Sequence, residues 1–248
     1  MSVEISHSEN DQIRQLKFIN LITVIFVLVL VLSNIASSAK IIDWGVNLFG
    51  LPLAFDAGTI LFPISYIFGD VLIEVYGYKR ARRIIWIGFL CLIFSALIFW
   101  LIRIMPGEIS WQNEVGQVAF DKVLGGMSTG GIVIASVCGY LAGSFSNAIV
   151  MAIMKVMTKG KWLWMRTIGS TLVGEFADTA IFILFASLTK VFPWSLFWTL
   201  TITNYIFKVG IEAIMTPVTY KIINELKKAE SIDVFDIQTD LNPFKLRD

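Results

Sequence analysis

The chain has 248 residues, of which 56% are hydrophobic and only 16% charged, and its mean hydropathy is +0.74. Soluble domains carry about 25% charged residues, because polar groups must meet water, so this composition argues against a soluble protein. Twenty Lys and Arg against nineteen Asp and Glu give a formal charge of +1, which draws the chain to no nucleic acid. Two cysteines, Cys91 and Cys138, and a single histidine, His7, leave little material for a disulfide scaffold, a zinc cluster or histidine catalysis, and no metal or cofactor is implied.

In chain order, a polar leader of 17 residues precedes a first apolar run near 18–39 with the core LITVIFVLVLVL. No small-residue cleavage site ends that core, so it reads as a span rather than a removed signal peptide. Further runs of the roughly 20 residues that cross a bilayer lie near 54–76, 84–102, 127–154, 166–188 and 196–220. The expected fold is an all-α integral membrane protein of six transmembrane helices over residues 18–222, with cytoplasmic tails 1–17 and 223–248. Fifteen of the twenty Lys and Arg fall on one side of this scheme, four on the other, and Lys208 within the sixth span. The positive-inside rule then sets an N-in, C-in orientation in a cell inner membrane.

Two connections resist a simple reading. The stretch 103–126 mixes Trp111 and Phe120 with acids, and fits either a short interfacial helix or a solvated loop. The polar residues after Lys228 are expected to be partly disordered. In the fourth span Gly139 and Gly143, and Gly126 and Gly130 before them, have the four-residue spacing that lets helix backbones approach closely. They can serve packing within one subunit or a homodimer seam.

An ionisable side chain in the hydrocarbon core is costly against lipid, so it faces a cavity, a partner or a pathway. Six such residues stand within the spans: Asp70 and Glu74 in the second, Glu175 and Asp178 in the fifth, and Lys208 and Glu212 in the sixth. Their three- and four-residue spacings put each pair on one helix face, and Asn204, four before Lys208, extends the polar stripe of the sixth span. Glu175, Asp178 and Lys208 fall near mid-membrane. Asp70 and Glu74 precede YGYKRARR, so a structural salt bridge competes with a site there. Asn34 and Asp56 are candidates for the rim of an outward-facing vestibule. Five acids against one lysine suit a proton-coupled carrier, whereas pairing with Lys208 and Arg166 is the plainer account. Pro63, with Gly58 and Gly69 nearby, marks a kink or break in the second span. Phe62, Tyr66, Phe176, Phe182 and Trp198 are candidates for stacking a planar ligand.

The stretches FPISYIFGDVLIEVYGYKRARR and SFSNAIVMAIMKVMTKGKWLWMRTIGSTLVGEFADTAIF closely resemble the vitamin uptake transporter family, also called queuosine precursor transporters, over roughly residues 18–222. The resemblance implies uptake of 7-deazaguanine bases such as preQ0 and preQ1 by a six-helix inner-membrane protein. Such a base presents adjacent N–H donors that a carboxylate accepts together, and a flat ring that aromatics can stack. Glu175 or Asp178 is then the first candidate for that edge, Asn147 and Asn204 for its carbonyl or ring nitrogens, and Asp70 with Glu74 for an aminomethyl group or for gating with Arg80 or Arg83. The site would lie among the second, fourth, fifth and sixth spans.

The leading expectation is therefore a secondary transporter of a small purine-like molecule in the lipid bilayer, not an enzyme. The sequence lacks a Walker motif, a GxSG nucleophile element and metal-ligand spacing. The competing expectation is a substrate-binding membrane subunit for a vitamin-like ligand, energised by separate ATPase partners.

Overall fold

A computed structural model describes residues 16–48, 51–128, 130–190 and 193–245. Four long helices carry the apolar runs read from the sequence: α1 (Ile19–Ala39), α3 (Tyr78–Ile104), α6 (Gly130–Met157) and α7 (Leu163–Leu188). Among the described residues, the segments Ile19–Ala39, Tyr78–Ile104, Gly116–Met157 and Leu163–Leu188 are long and apolar enough to cross a membrane. Their outward faces are greasy. On α1, Leu21, Val24, Leu28 and Leu32 recur at helical spacing and are 44–61% exposed, an arrangement that lipid tolerates and water does not.

Between α1 and the next helix the chain does something the periodicity does not announce. Strands β1 (Ile41–Leu48) and β2 (Leu51–Asp56) pair antiparallel, with Ile41 opposite Asp56 and an irregularity between Asp43 and Asn47. A 3₁₀ turn over Ala57–Leu61 leads into α2 (Phe62–Tyr76). The second span is thus α-helical over 15 residues, about 22 Å at 1.5 Å per residue, and residues 54–56 at its expected start belong to β2. Pro63 stands in the first turn of α2, where its missing N–H has no helical partner to lose. It starts the helix rather than kinking it.

Helix α2 is the central strut. Every residue from Asp70 to Gly77 is buried, and Val71, Leu72, Val75 and Tyr76 join Ala148, Met151 and Ile223 in the core. Gly77 ends α2 at φ +83°, with no room for a Cβ beside Val234, and lets α3 begin at once. This end of the bundle holds the Lys79–Arg83 cluster and is called the basic end below. At the opposite end the stretch 103–126 takes the helical form, as α4 (Ile109–Glu114) and α5 (Gly116–Leu124), and the Arg103 guanidinium pairs with Asp121 at 2.9 Å.

The last helix, α8 (Phe197–Glu230), runs well beyond the expected sixth span. Its final residue reaches α1: the Glu230 carboxylate accepts from the backbone N–H of Lys17 and Phe18 and from the Tyr76 hydroxyl at 2.8–3.0 Å. Burial alone would raise this carboxyl, but those donors hold it below the usual range. Residues 231–245 then fold back across the basic end instead of dangling. Asp236 accepts from Tyr78 N–H, Arg82 donates to the carbonyls of Asp240 and Asn242, and the Trp86 indole donates to Pro243.

Helices α6 and α7 meet backbone to backbone. A Cβ on Gly143 would lie 2.6 Å from the Asp178 Cβ and 3.1 Å from the Gly174 carbonyl, and one on Gly174 would lie 2.7 Å from the Asn147 Cβ. A Cβ on Gly139 would lie 2.9 Å from the Asp178 Oδ1 and 3.1 Å from the Phe182 Cβ. The small-residue spacing read from the sequence therefore serves a seam inside the chain, and of the earlier pair Gly126 meets Ser38 of α1 while Gly130 meets nothing within 4 Å. Gly143→Ala and Gly174→Ala should each destabilise the protein by about 1–3 kcal/mol through overpacking. Gly130→Ala should leave the melting midpoint in place, and thermal melts of the detergent-purified variants check the contrast.

Candidate functional site

The charged residues inside the bundle separate into two groups with different surroundings. The first closes the basic end. Glu74 of α2 is fully buried, and its carboxylate accepts from both Nε and Nη2 of Arg166 on α7, at 3.2 and 2.8 Å, and from Lys227 on α8 at 2.6 Å. Lys155 of α6, also buried, donates to the Glu74 carbonyl at 2.6 Å, to Asp233 at 2.6 Å and to the Val234 carbonyl at 2.7 Å. Burial pushes the Asp233 carboxyl up, but hydrogen bonds from Lys155 and Lys227 outweigh it and hold the group below the usual carboxylate range. None of Glu74, Lys155, Arg166 and Lys227 lines the interior cavity. Glu74 thus stands in a salt-bridge network, and among the described residues its partners are Arg166, Lys227 and Lys155 in place of Arg80 or Arg83. Lys155, counted in the sequence as a loop charge, is missing from the expected site because nothing in AIMKVM shows that its ammonium turns inward.

The second group borders a cavity of about 780 Å³ enclosed by α1, α2, α3, α6, α7 and α8 and reaching α5 at its far end. That volume is in the range of small-molecule sites. Glu175 and Asp178 of α7 and Lys208 of α8 stand in its wall. The Lys208 ammonium lies 3.2 Å from Glu175 and also donates to Asp178. One cation is shared between two acids, so each carboxylate keeps acceptor capacity. Asn147 lines the cavity from α6 and donates to Asp70 of α2 at 3.2 Å. Glu212 lies behind the wall and accepts from Thr171 at 2.6 Å. Asp70 and Glu212 are each more than nine-tenths buried, each keeps one carboxylate oxygen without a hydrogen-bond partner, and neither touches a cation among the described residues.

The remaining candidates divide. Asn34 lines the cavity and donates to the Leu30 carbonyl at 2.9 Å, and Asn204 lines it from an exposed position. Phe182 is in the wall, joined by Tyr140, whereas Phe176 and Trp198 are 53% and 68% exposed and point away from the core. The side chains of Asp56, Phe62 and Tyr66 lie outside the described residues. Thr179, which sequence reasoning passed over, lines the cavity one helical turn after Glu175, 2% exposed, with no hydrogen-bond partner for its hydroxyl among the described residues. Its four-residue spacing from Glu175 was the available signal.

Apolar helices around a cavity whose largely apolar wall carries a few charged and polar groups fit a membrane transporter, the class that the similar proteins also give. Residues 56–222 match the family described as "Putative vitamin uptake transporter", and the chain belongs to that family. It is similar to the "Probable queuosine precursor transporter" of Bacillus subtilis (strain 168), with 27% identity over 71% of this chain and 73% of that protein. A protein of the same description from Haemophilus influenzae (strain ATCC 51907 / DSM 11121 / KW20 / Rd) is 27% identical over 67% of each chain. No solved structure matches the chain.

Removing one member of a buried ion pair strands its partners without water. Glu74→Gln should therefore cost about 3–5 kcal/mol and lower the melting midpoint by about 10 °C. Glu225→Gln, which breaks only the exposed pair with Lys228, should cost less than about 1 kcal/mol. Melting curves of the two purified variants provide the comparison.

Proposed function

We propose that this chain imports queuosine precursors, 7-deazaguanine bases such as preQ0 and preQ1, across the cell inner membrane. The observation that carries the reading is the cavity wall in which Glu175, Asn147 and Phe182 stand together. The Glu175 carboxylate accepts the paired N–H groups of the base, the Asn147 amide meets its ring heteroatoms, and the Phe182 ring contacts its face. Lys208, 3.2 Å from the Glu175 carboxylate, holds it in place, and Asn204, Asn34 and Asp56 serve the approach to the site. The curated relatives' descriptions support this substrate class.

In this reading α2, with the 3₁₀ turn before it, and α8 complete six spans, and the basic end faces the cytoplasm in an N-in, C-in arrangement. The cavity is then reached from outside, past α5, and the Glu74 network closes its inner side. Asp70 and Glu212, buried acids without a cation in contact among the described residues, are the groups through which a proton gradient acts.

Three measurements test the proposal. Purified protein should be thermally stabilised by preQ0 or preQ1, by about 2–3 kcal/mol at a hundredfold excess over Kd, and stabilisation by neither would remove the substrate assignment. Glu175→Gln should lower uptake in cells at least tenfold while membrane insertion is retained, and normal uptake would remove Glu175 from the site. In liposomes holding this chain alone, an imposed inward proton gradient should accelerate uptake. Indifference to the gradient would sink proton coupling, and failure to transport at all would favour a subunit energised by ATPase partners.

A further inference from the structure

We infer that Thr179 reads the ring carbonyl of the bound base, so that one face of α7 recognises a lactam edge: N–H groups at Glu175 and the adjacent C=O at Thr179. The inference rests on the proposed function and adds a residue that selects among purine-like bases. Thr179 is 2% exposed, lines the cavity, and its Oγ1 has no partner among the described residues. A threonine in a helix ordinarily returns its hydroxyl to a carbonyl three or four residues back. Several in this chain do so: Thr23 to Ile19, Thr158 to Met154, Thr201 to Phe197 and Thr216 to Glu212. Thr179 does not, although a hydroxyl buried without a partner is costly.

The spacing fits the chemistry. Residues four apart on a helix have Cβ atoms about 5–6 Å apart on one face, close to the span of the edge along which a guanine-type base sets out amino group, ring N–H and carbonyl. Glu175 is an acceptor, so the N–H groups go to it, and the hydroxyl next along the helix donates to the carbonyl. Phe182, three residues further, is also in the wall. An adenine-type edge reverses donor and acceptor and sets a ring nitrogen lone pair against the Glu175 carboxylate, so it is rejected.

The test measures binding by the detergent-purified full chain of preQ0 and of its thiocarbonyl analogue, which keeps the ring N–H but accepts hydrogen bonds poorly. Wild type should prefer preQ0 by about tenfold, the worth of one hydrogen bond. Thr179→Val, which conserves shape, should lose about tenfold in preQ0 affinity and bind the two bases equally. Thr179→Ser should stay within about threefold of wild type, and Glu175→Gln should weaken both bases while keeping the preference. If wild type binds preQ0 and its analogue equally, or Thr179→Val keeps the preference, this inference is overturned and the proposed function stands. If wild type binds neither base, the proposed function fails and this inference with it.

Discussion

The Glu74 carboxylate is the charge around which the basic end is organised. It is held in the protein interior by a bidentate guanidinium from α7 and an ammonium from α8, while an ammonium from α6 bonds its backbone carbonyl. No single pairing would repay the removal of these charges from water, and only the assembled set, with its hydrogen bonds filled, makes the arrangement tolerable. Each donor comes from a different helix, so α2, α6, α7 and α8 must converge at one depth. The same convergence gives Lys155 a second set of acceptors in Asp233 and Val234, which draws the chain after α8 over the assembled end.

Toward the other end the electrostatics change character. Glu175 and Asp178 share a lysine, and their wall also carries side chains with open hydrogen-bonding capacity. A network saturated by its own partners is suited to closing a bundle. The second group lines the cavity instead, with Lys208 shared between two carboxylates. The division runs along α7 itself: Arg166 belongs to the first arrangement, and Glu175, Asp178 and Thr179 belong to the second.

Much of this was legible in the sequence because lipid imposes a simple rule. Long apolar runs give α1, α3, α6 and α7, and the few charges within runs identify Asp70, Glu74, Glu175, Asp178, Lys208 and Glu212 as interior residues. The glycine spacing of α6 also announced close packing. What the sequence left hidden depends on distant partners. The β1–β2 pairing falls mostly between the first two expected spans, and only residues 54–56 of β2 lie within the run read as the second, where composition did not separate strand from span. Residues 231–245 look polar enough to be free, yet their backbone carbonyls are what Arg82 and Trp86 require. The choice between salt bridge and site for Glu74 turned on Arg166, which lies 92 positions away.

The glycine seam also limits how the molecule can change shape. With Gly139 and Gly143 seated against α7 and Gly174 against α6, neither helix can slide or tilt on the other without forcing backbone atoms together. A change of shape that keeps this seam intact therefore moves α6 and α7 as one body. Asn147 and Glu175, one on each helix of that pair, then keep a constant separation whatever the rest of the bundle does.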